Sequence, residues 1–371
     1  MGKSDRIAGF DGVRALAFLG VFANHKLEIA QRDALGSVGV WTFFVLSGFL
    51  ITGILARSRE EVEGGLPLRW ALARFYLRRT ARIFPIYYAL LGCAFGVSLF
   101  VHINDFWLKE ELAYATYTTN ILIGVRDGWV GDFGHFWSLA VEEQFYLLFA
   151  PLALLIPRRR TALLCVAFLT AGLAARVTME AAHAPVISIY VNSVVNFGLL
   201  GFGGLVGLAA NRLTAPRWLT SGFAQGLVLA ALVAAPIALG ASHDAWMTFG
   251  PAIVVLSGLL LFQIAAAQGT WLVELLDASP LRQVGRVSYA AYLFHPFISY
   301  PTLQRLLGLA EPAPARWLQI LAEFAITMAL CAISWRVLEE PAIRWGARLS
   351  HRLFLAPAKP RALPAEAASI G

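Results

Sequence analysis

The chain has 371 residues, 58% of them hydrophobic and only 14% charged, with a mean hydropathy of +0.65. Soluble domains carry about 25% charged residues, so the composition excludes an ordinary soluble domain and points to a polytopic membrane protein. The formal charge of +7 is assigned to topology rather than to nucleic acid, because Lys and Arg collect in the cytoplasmic loops of membrane proteins.

A window of about 20 apolar residues marks ten spans, near 10–29, 38–56, 80–101, 136–156, 161–180, 191–210, 221–240, 246–266, 281–300 and 317–336. The expected fold is all-α, with about ten transmembrane helices. Residues 112–124 are too short and polar to span and are expected in the interface. A single membrane domain over 1–355 is followed by a Pro/Ala-rich tail, 356–371, expected to be a disordered cytoplasmic segment. Lys3 and Arg6 resemble the basic start of a signal peptide, but Asp11 and Arg14 interrupt the apolar run such a peptide needs, so the first span is expected to be retained. With the N-terminus inside, the inner loops hold 22 of the 30 Lys and Arg and the outer loops hold six. That asymmetry supports both the count and cytoplasmic termini. Cys93, Cys165 and Cys331 stand alone in apolar stretches without metal or redox spacing, and are read as small buried hydrophobes.

Several spans carry residues that lipid does not favour. A charge at bilayer depth costs at least ~2.5 kcal/mol on insertion scales, yet "FDGVRALAFLGVFANHK" places Arg14 and His25 in the first span. Eleven residues are about 1100° of helical rotation, so the two share a face about 16 Å apart along the axis. "FFVLSGFLITGIL" has Ser47, Gly48 and Gly53, read as residues for close helix approach. "FYLRRTARIFPIYY" opens the third span with Arg78, Arg79 and Arg82, whose i,i+3 and i,i+4 spacings allow a shared face and a hold on phosphate. The alternative is a purely topological cluster. "GHFWSLAVEEQFYLLF" aligns His135, Ser138 and Glu142 in one helical stripe, with Glu143 and Gln144 beside it. Glutamate and histidine on neighbouring helices are the parts of a general base and its orienting carboxylate; a structural polar network would use the same residues. "SYAAYLFHPFISYP" carries His295, read first as an interhelical hydrogen bond and second as a cavity-lining histidine. In "LEEPAIRW", Glu339 and Glu340 are expected to pair with Arg344 or the Arg-rich loops.

Together, and in this order, these stretches resemble the acyltransferase type 3 family of integral membrane O-acyltransferases. The family's Arg-x10-His element falls on Arg14 and His25, its Arg-x-x-Arg on Arg79 and Arg82, and its Ser-x3-Glu on Ser138 and Glu142. The resemblance implies transfer of an acyl group, most simply acetyl from acetyl-CoA, to a sugar or glycoconjugate hydroxyl, in a bacterial-type inner membrane. No permanently bound cofactor or metal is expected; acyl-CoA is the donor co-substrate. Some family members append an esterase-like domain, which this sequence does not reach, so a second transfer step is expected to need a partner. On this resemblance the Arg cluster and Arg14 hold the donor, His25 deprotonates the acceptor, Glu142 raises its basicity, and Ser138 positions one or the other. A transporter or flippase with an intramembrane Arg/His/Glu relay is the rival.

Overall fold

The computed structural model describes residues 6–27, 32–101, 110–239, 243–307 and 314–354; the expected disordered tail lies outside them. Among the described residues the secondary structure is entirely helical. The helices α1 (Phe10–Lys26), α2 (Arg32–Glu63) and α3 (Leu68–Val101) precede two short ones, α4 (Glu111–Ala115) and α5 (Thr119–Arg126). A 3-10 turn, Gly134–Phe136, opens α6 (Trp137–Leu155), and α7 (Thr161–Ala181) follows. Next come α8 (Val186–Val191), α9 (Ser193–Ala210), α10 (Arg217–Thr220), α11 (Gly222–Leu239) and α12 (His243–Ala266). The C-terminal part holds α13 (Trp271–Leu276), α14 (Ser279–Arg286), α15 (Ser288–Phe294), α16 (Tyr300–Leu307), α17 (Arg316–Ser334) and α18 (Glu340–Leu353).

Among the described residues, six helical stretches are long and apolar enough to cross a membrane, within α2, α6, α7, α9, α12 and α17–α18. The other four spans expected from sequence fall on α1, α3, α11 and α14–α15. The 17-residue α1 carries Asp11, Arg14 and Lys26, whereas α3 is 34 residues long and its Arg-rich first turns lead into an uncharged stretch from Ile83 to Val101. The helix α11, Gly222–Leu239, is 18 residues long and uncharged. The ninth span is not one helix: α14 and α15 are separated at Val287 (φ −100°, ψ 9°), and the chain turns after His295. Apolar side chains face outward on α7, where Leu163 is 65% and Val177 62% exposed. A soluble protein does not tolerate so large an apolar surface; lipid is its natural solvent.

Small residues bring the inner helices together. A Cβ at Gly48 of α2 would collide with the Leu200 carbonyl of α9, and one at Gly203 with that of Val45. The reading of Gly48 as a packing residue therefore holds, whereas a Cβ at Gly53 would meet only the Arg57 guanidinium at 3.9 Å. Backbone contact of this kind gives dispersion where lipid offers no hydrophobic drive for association. The start of α9 is set by Asn192, whose side chain accepts from the Val194 and Val195 N–H groups at 2.9 and 3.1 Å and so satisfies donors that a helix end leaves open. Cys165 and Cys331 are buried as expected, but Cys93 is exposed, on the part of α3 where a Cβ added at Gly92 or Gly96 would meet nothing within 4 Å among the described residues.

Ion pairs sort the loops. Arg158 pairs with Glu60 and Arg74 with Glu61, while Glu63 accepts from Arg59 at 3.1 Å and from the Arg158 N–H at 2.9 Å. The end of α2, the start of α3 and the turn before α7 thus lie at one end of the molecule, as alternating spans require. Glu340 pairs with Arg344 at 2.8 Å and Arg286 at 3.6 Å, as expected for it. Glu339 instead is buried in the π-helical turn Trp335–Glu339, where it accepts from Ser334 at 3.2 Å. At the C-terminal end of α1, Lys26 is only 5% exposed, although the span count puts it in an outer loop. It pairs with Glu323 of α17 at 3.2 Å and donates to the Ile298 carbonyl, and Arg316 ties the same carboxylate at 3.4 Å.

Candidate active site

A cavity of about 120 Å³ opens between α1, α2, α3, α6 and α15. Arg14, Arg79 and Arg82 line it together with Ser138, Glu142 and Glu143. Each arrives there by helical periodicity. Arg79 and Arg82, three residues apart on α3, face inward, as do Ser138 and Glu142, four apart on α6. Arg78 does not join them. It is exposed and donates from Nε to Ser350 of α18 at 2.9 Å, because the 100° step per residue turns it away from Arg79. The three-Arg cluster expected from the sequence is therefore split, two toward the cavity and one toward α18.

The cations are held by named partners. Arg14 is bound to Asp11, one turn earlier, at 3.0 Å. Arg79 lies over the Tyr146 ring at 5.8 Å and over Phe75 at 6.0 Å, a cation–π arrangement that offsets part of its desolvation. Glu142 accepts from the Tyr146 hydroxyl at 3.2 Å, and that hydroxyl is 2.7 Å from Ser47. Since the Tyr146 proton goes to the carboxylate, Ser47 is the donor of the second bond. The expected His25–Glu142 pair is not what the structure brings together: Glu142 belongs to the cavity, and His25 is not among the residues that line it.

His25 sits exposed near the end of α1, with its ring 4.9 Å from that of His295 in an edge-on arrangement. His295 is fully buried, and His135 is 5.8 Å beyond it. The interhelical hydrogen bond expected at His295 is absent from Nδ1, which bonds within its own turn to the carbonyls of Tyr292 (2.8 Å) and Ala291 (3.2 Å). Tyr292 joins the two regions. It lines the cavity, its hydroxyl donates to the His135 carbonyl at 2.8 Å, and Ser138 meets it at 2.8 Å. Its ring is 5.6 Å from His135 and 5.8 Å from His295.

Sequence reasoning does not single out Ser47, Tyr146, Tyr289 or Tyr292 as site residues. Tyr146 has a signal, being one turn from Glu142, and Tyr292 lies one turn before His295. Ser47 has none, since a serine beside glycine in an apolar span reads as packing. Among the described residues, no group of three or more His, Cys, Asp or Glu is arranged to hold a metal ion.

A family model described as an acyltransferase domain matches residues 7–336, which include every candidate residue named above. The chain belongs to this acyltransferase family. It is 28% identical over 356 residues to the peptidoglycan O-acetyltransferase OatA of Listeria monocytogenes, covering 90% of this chain and 55% of that protein. It is 27% identical to the putative peptidoglycan O-acetyltransferase YrhL of Bacillus subtilis, over 94% of this chain and 57% of the other. Against the O-acetyltransferase OatA of Staphylococcus aureus the identity is 24%, over 92% and 58%. This acyltransferase chain thus spans a little more than half the length of these curated relatives. No solved structure matches it.

Proposed function

We propose that the protein is a membrane O-acyltransferase that moves an acyl group, most simply acetyl, from acyl-CoA to a hydroxyl of a sugar or glycoconjugate. Peptidoglycan is the first acceptor to test, because relatives carry that substrate in their names. The observation that carries the reading is the cavity in which Arg14, Arg79 and Arg82 converge, three helical turns from His25 along α1. Arg79 and Arg82 hold the charged end of the donor, and Arg14 guides its arm toward Ser138 and Tyr292. His25 takes the proton of the acceptor hydroxyl as that oxygen attacks the thioester carbonyl; the carbon–sulfur bond breaks and the CoA thiolate leaves. Glu142 balances the cavity's cations and keeps Tyr146 in place. Its action on His25 is through that field and not by a direct bond. Incubating the purified protein with labelled acetyl-CoA and solubilised peptidoglycan glycan fragments tests the whole reading: label on the glycan supports it, and intact donor with unlabelled glycan overturns it.

Arg79→Ala and Arg82→Ala are each expected to raise the KM for acyl-CoA, since a charge-assisted hydrogen bond contributes about 1.5–3 kcal/mol. Arg78→Ala, at the α18 contact, is expected to leave that KM unchanged. Equal KM values for all three would remove the donor role from the pair.

The proposed arrangement is ten spans in a bacterial-type inner membrane with both termini cytoplasmic. Reporter fusions after Arg160, Arg217 and Arg352 are expected to report cytoplasm, and one at His183 the outer side. The expected outer positions Asn104 and Asp244 rest on the sequence count, since the former lies outside the described residues and the latter's side chain does too. Two fusions reporting the opposite side would refute the ten-span count.

A further inference from the structure

Most hydroxyl groups that line the cavity point their protons away from it. Tyr292 donates to the His135 carbonyl at 2.8 Å, Tyr289 to the Ile83 carbonyl at 3.1 Å and Tyr146 to the Glu142 carboxylate at 3.2 Å. A hydroxyl has one proton, so two serines are fixed in turn. Ser47, 2.7 Å from the Tyr146 oxygen, donates to it, and Ser138, 2.8 Å from the Tyr292 oxygen, donates there. The alternative partner of Ser138 is the His135 carbonyl at 3.4 Å, which also only accepts. Each serine thus heads a relay, Ser47–Tyr146–Glu142 or Ser138–Tyr292–His135, and its proton stays within the protein. Both serines line the cavity, and what they turn toward it is lone pairs.

This polarity restricts the occupant. The guanidinium groups of Arg14, Arg79 and Arg82 only donate and call for an anion, whereas the two serine oxygens call for N–H or O–H groups. The serines are also spaced and ordered. Ser138 lies one turn of α6 before Glu142, where Ser47 joins that helix through Tyr146, so their levels differ by about 6 Å. Arg79 lies over the Tyr146 ring at 5.8 Å, which puts Ser47 at the arginine end. Ser138 is at the Tyr292 end, toward the histidines. The arm of an acyl-CoA matches each of these features. Its phosphates are anionic, and its pantetheine carries two amide N–H groups about 5 Å apart when extended. The acceptor glycan is the weaker match, because its place is at His25, which does not line the cavity.

We propose that Ser47 and Ser138 read the two pantetheine amides of the donor: Ser47 accepts the N–H nearer the phosphates, and Ser138 accepts the N–H nearer the thioester. Both are positioning residues and exchange no proton. Their relays hold the two oxygens in place before the arm arrives, so the thioester is delivered in one register, beyond Ser138. The inference rests on the reading of acyl-CoA as the donor.

The test is calorimetric binding of CoA, and of two CoA analogues, to the full chain in detergent. In each analogue one pantetheine amide is replaced by an ester, which keeps the length of the arm and removes one N–H. The wild-type protein is expected to bind each analogue about 3–10-fold more weakly than CoA, the contribution of one hydrogen bond. Ser47→Ala and Ser138→Ala are each expected to lose a similar factor for CoA itself. Ser47→Ala should then be indifferent to the ester on the phosphate side and still sensitive to the other, and Ser138→Ala should show the reverse. A merely structural role for either serine would weaken CoA and both analogues by one common factor. Equal binding of CoA and both esters by the wild-type protein would overturn the proposal, and that comparison decides it even if a variant does not accumulate. Serine variants that keep their affinity for CoA but raise the KM for solubilised peptidoglycan glycan fragments would assign the serines to the acceptor and overturn it as well. A wild-type protein that binds no CoA would refute the donor reading, and this inference with it.

Discussion

Replacing His25 by alanine is expected to lower turnover about 10²–10⁴-fold while the protein remains folded and inserted. The expectation follows from where the side chain is. His25 is exposed at the last turn of α1, and α1 is anchored by other groups: Phe18 and Phe22 pack in the core, and Lys26 pairs with Glu323 at 3.2 Å. Removing the imidazole therefore takes away little packing. Donor binding is expected to change little as well, because Arg79 and Arg82 lie in the cavity, from which His25 is absent. The check is a single-turnover assay with acetyl-CoA beside a thermal melt and a direct CoA-binding measurement. A structural role predicts the opposite pattern, in which activity, melting temperature and yield fall together. A stable His25→Ala protein with near-normal transfer would remove His25 from the chemistry.

The second large effect is expected at Gly285 rather than at a charged residue. Here α14 and the end of α13 meet α1 backbone to backbone: a Cβ at Gly285 would collide with the Asp11 carbonyl, and one at Gly12 with that of Leu276. Neither obstacle is the end of a flexible side chain, so the helices themselves have to separate. Overpacking of this kind costs about 1–3 kcal/mol and sometimes more. Asp11 is also the partner of Arg6 at 3.1 Å and of Arg14 at 3.0 Å, so a shift there moves a cavity cation. Gly285→Ala is expected to lower both the melting temperature and the affinity for acyl-CoA. Gly92→Ala serves as the control, since among the described residues nothing lies within 4 Å of a Cβ at that position. Equal melting temperatures for the two variants would show that α1 and α14 are not locked together in this way.

Much of the cavity is legible in the amino-acid sequence. The spacing of Arg14 and His25, of Arg79 and Arg82, and of Ser138 and Glu142 follows from 3.6 residues per turn. Five of those six residues line one cavity. The membrane class is legible from charge depletion, and the common side of the 57–82 and 157–160 loops from their basic residues, which the ion pair of Arg158 with Glu60 and its backbone hydrogen bond to Glu63 bear out. These are properties of a helix considered alone or of a loop counted for charge.

What only the tertiary structure decided is who stands next to whom. Periodicity orients a side chain about its own helix axis but says nothing of which helix lies opposite. Hence Glu142 is bonded to Tyr146, and His25 lies beside His295. Arg78 leaves its neighbours for Ser350, and Ser47, which reads as packing, joins the cavity. The same limit governs the ninth span. An apolar run is equally compatible with a continuous helix in lipid and with two short helices covered by protein, because burial in either solvent favours the same side chains. Contact with α1 through Gly285 distinguishes them, and the break at Val287 that it accompanies brings Tyr292 to Ser138 and His295 to His25.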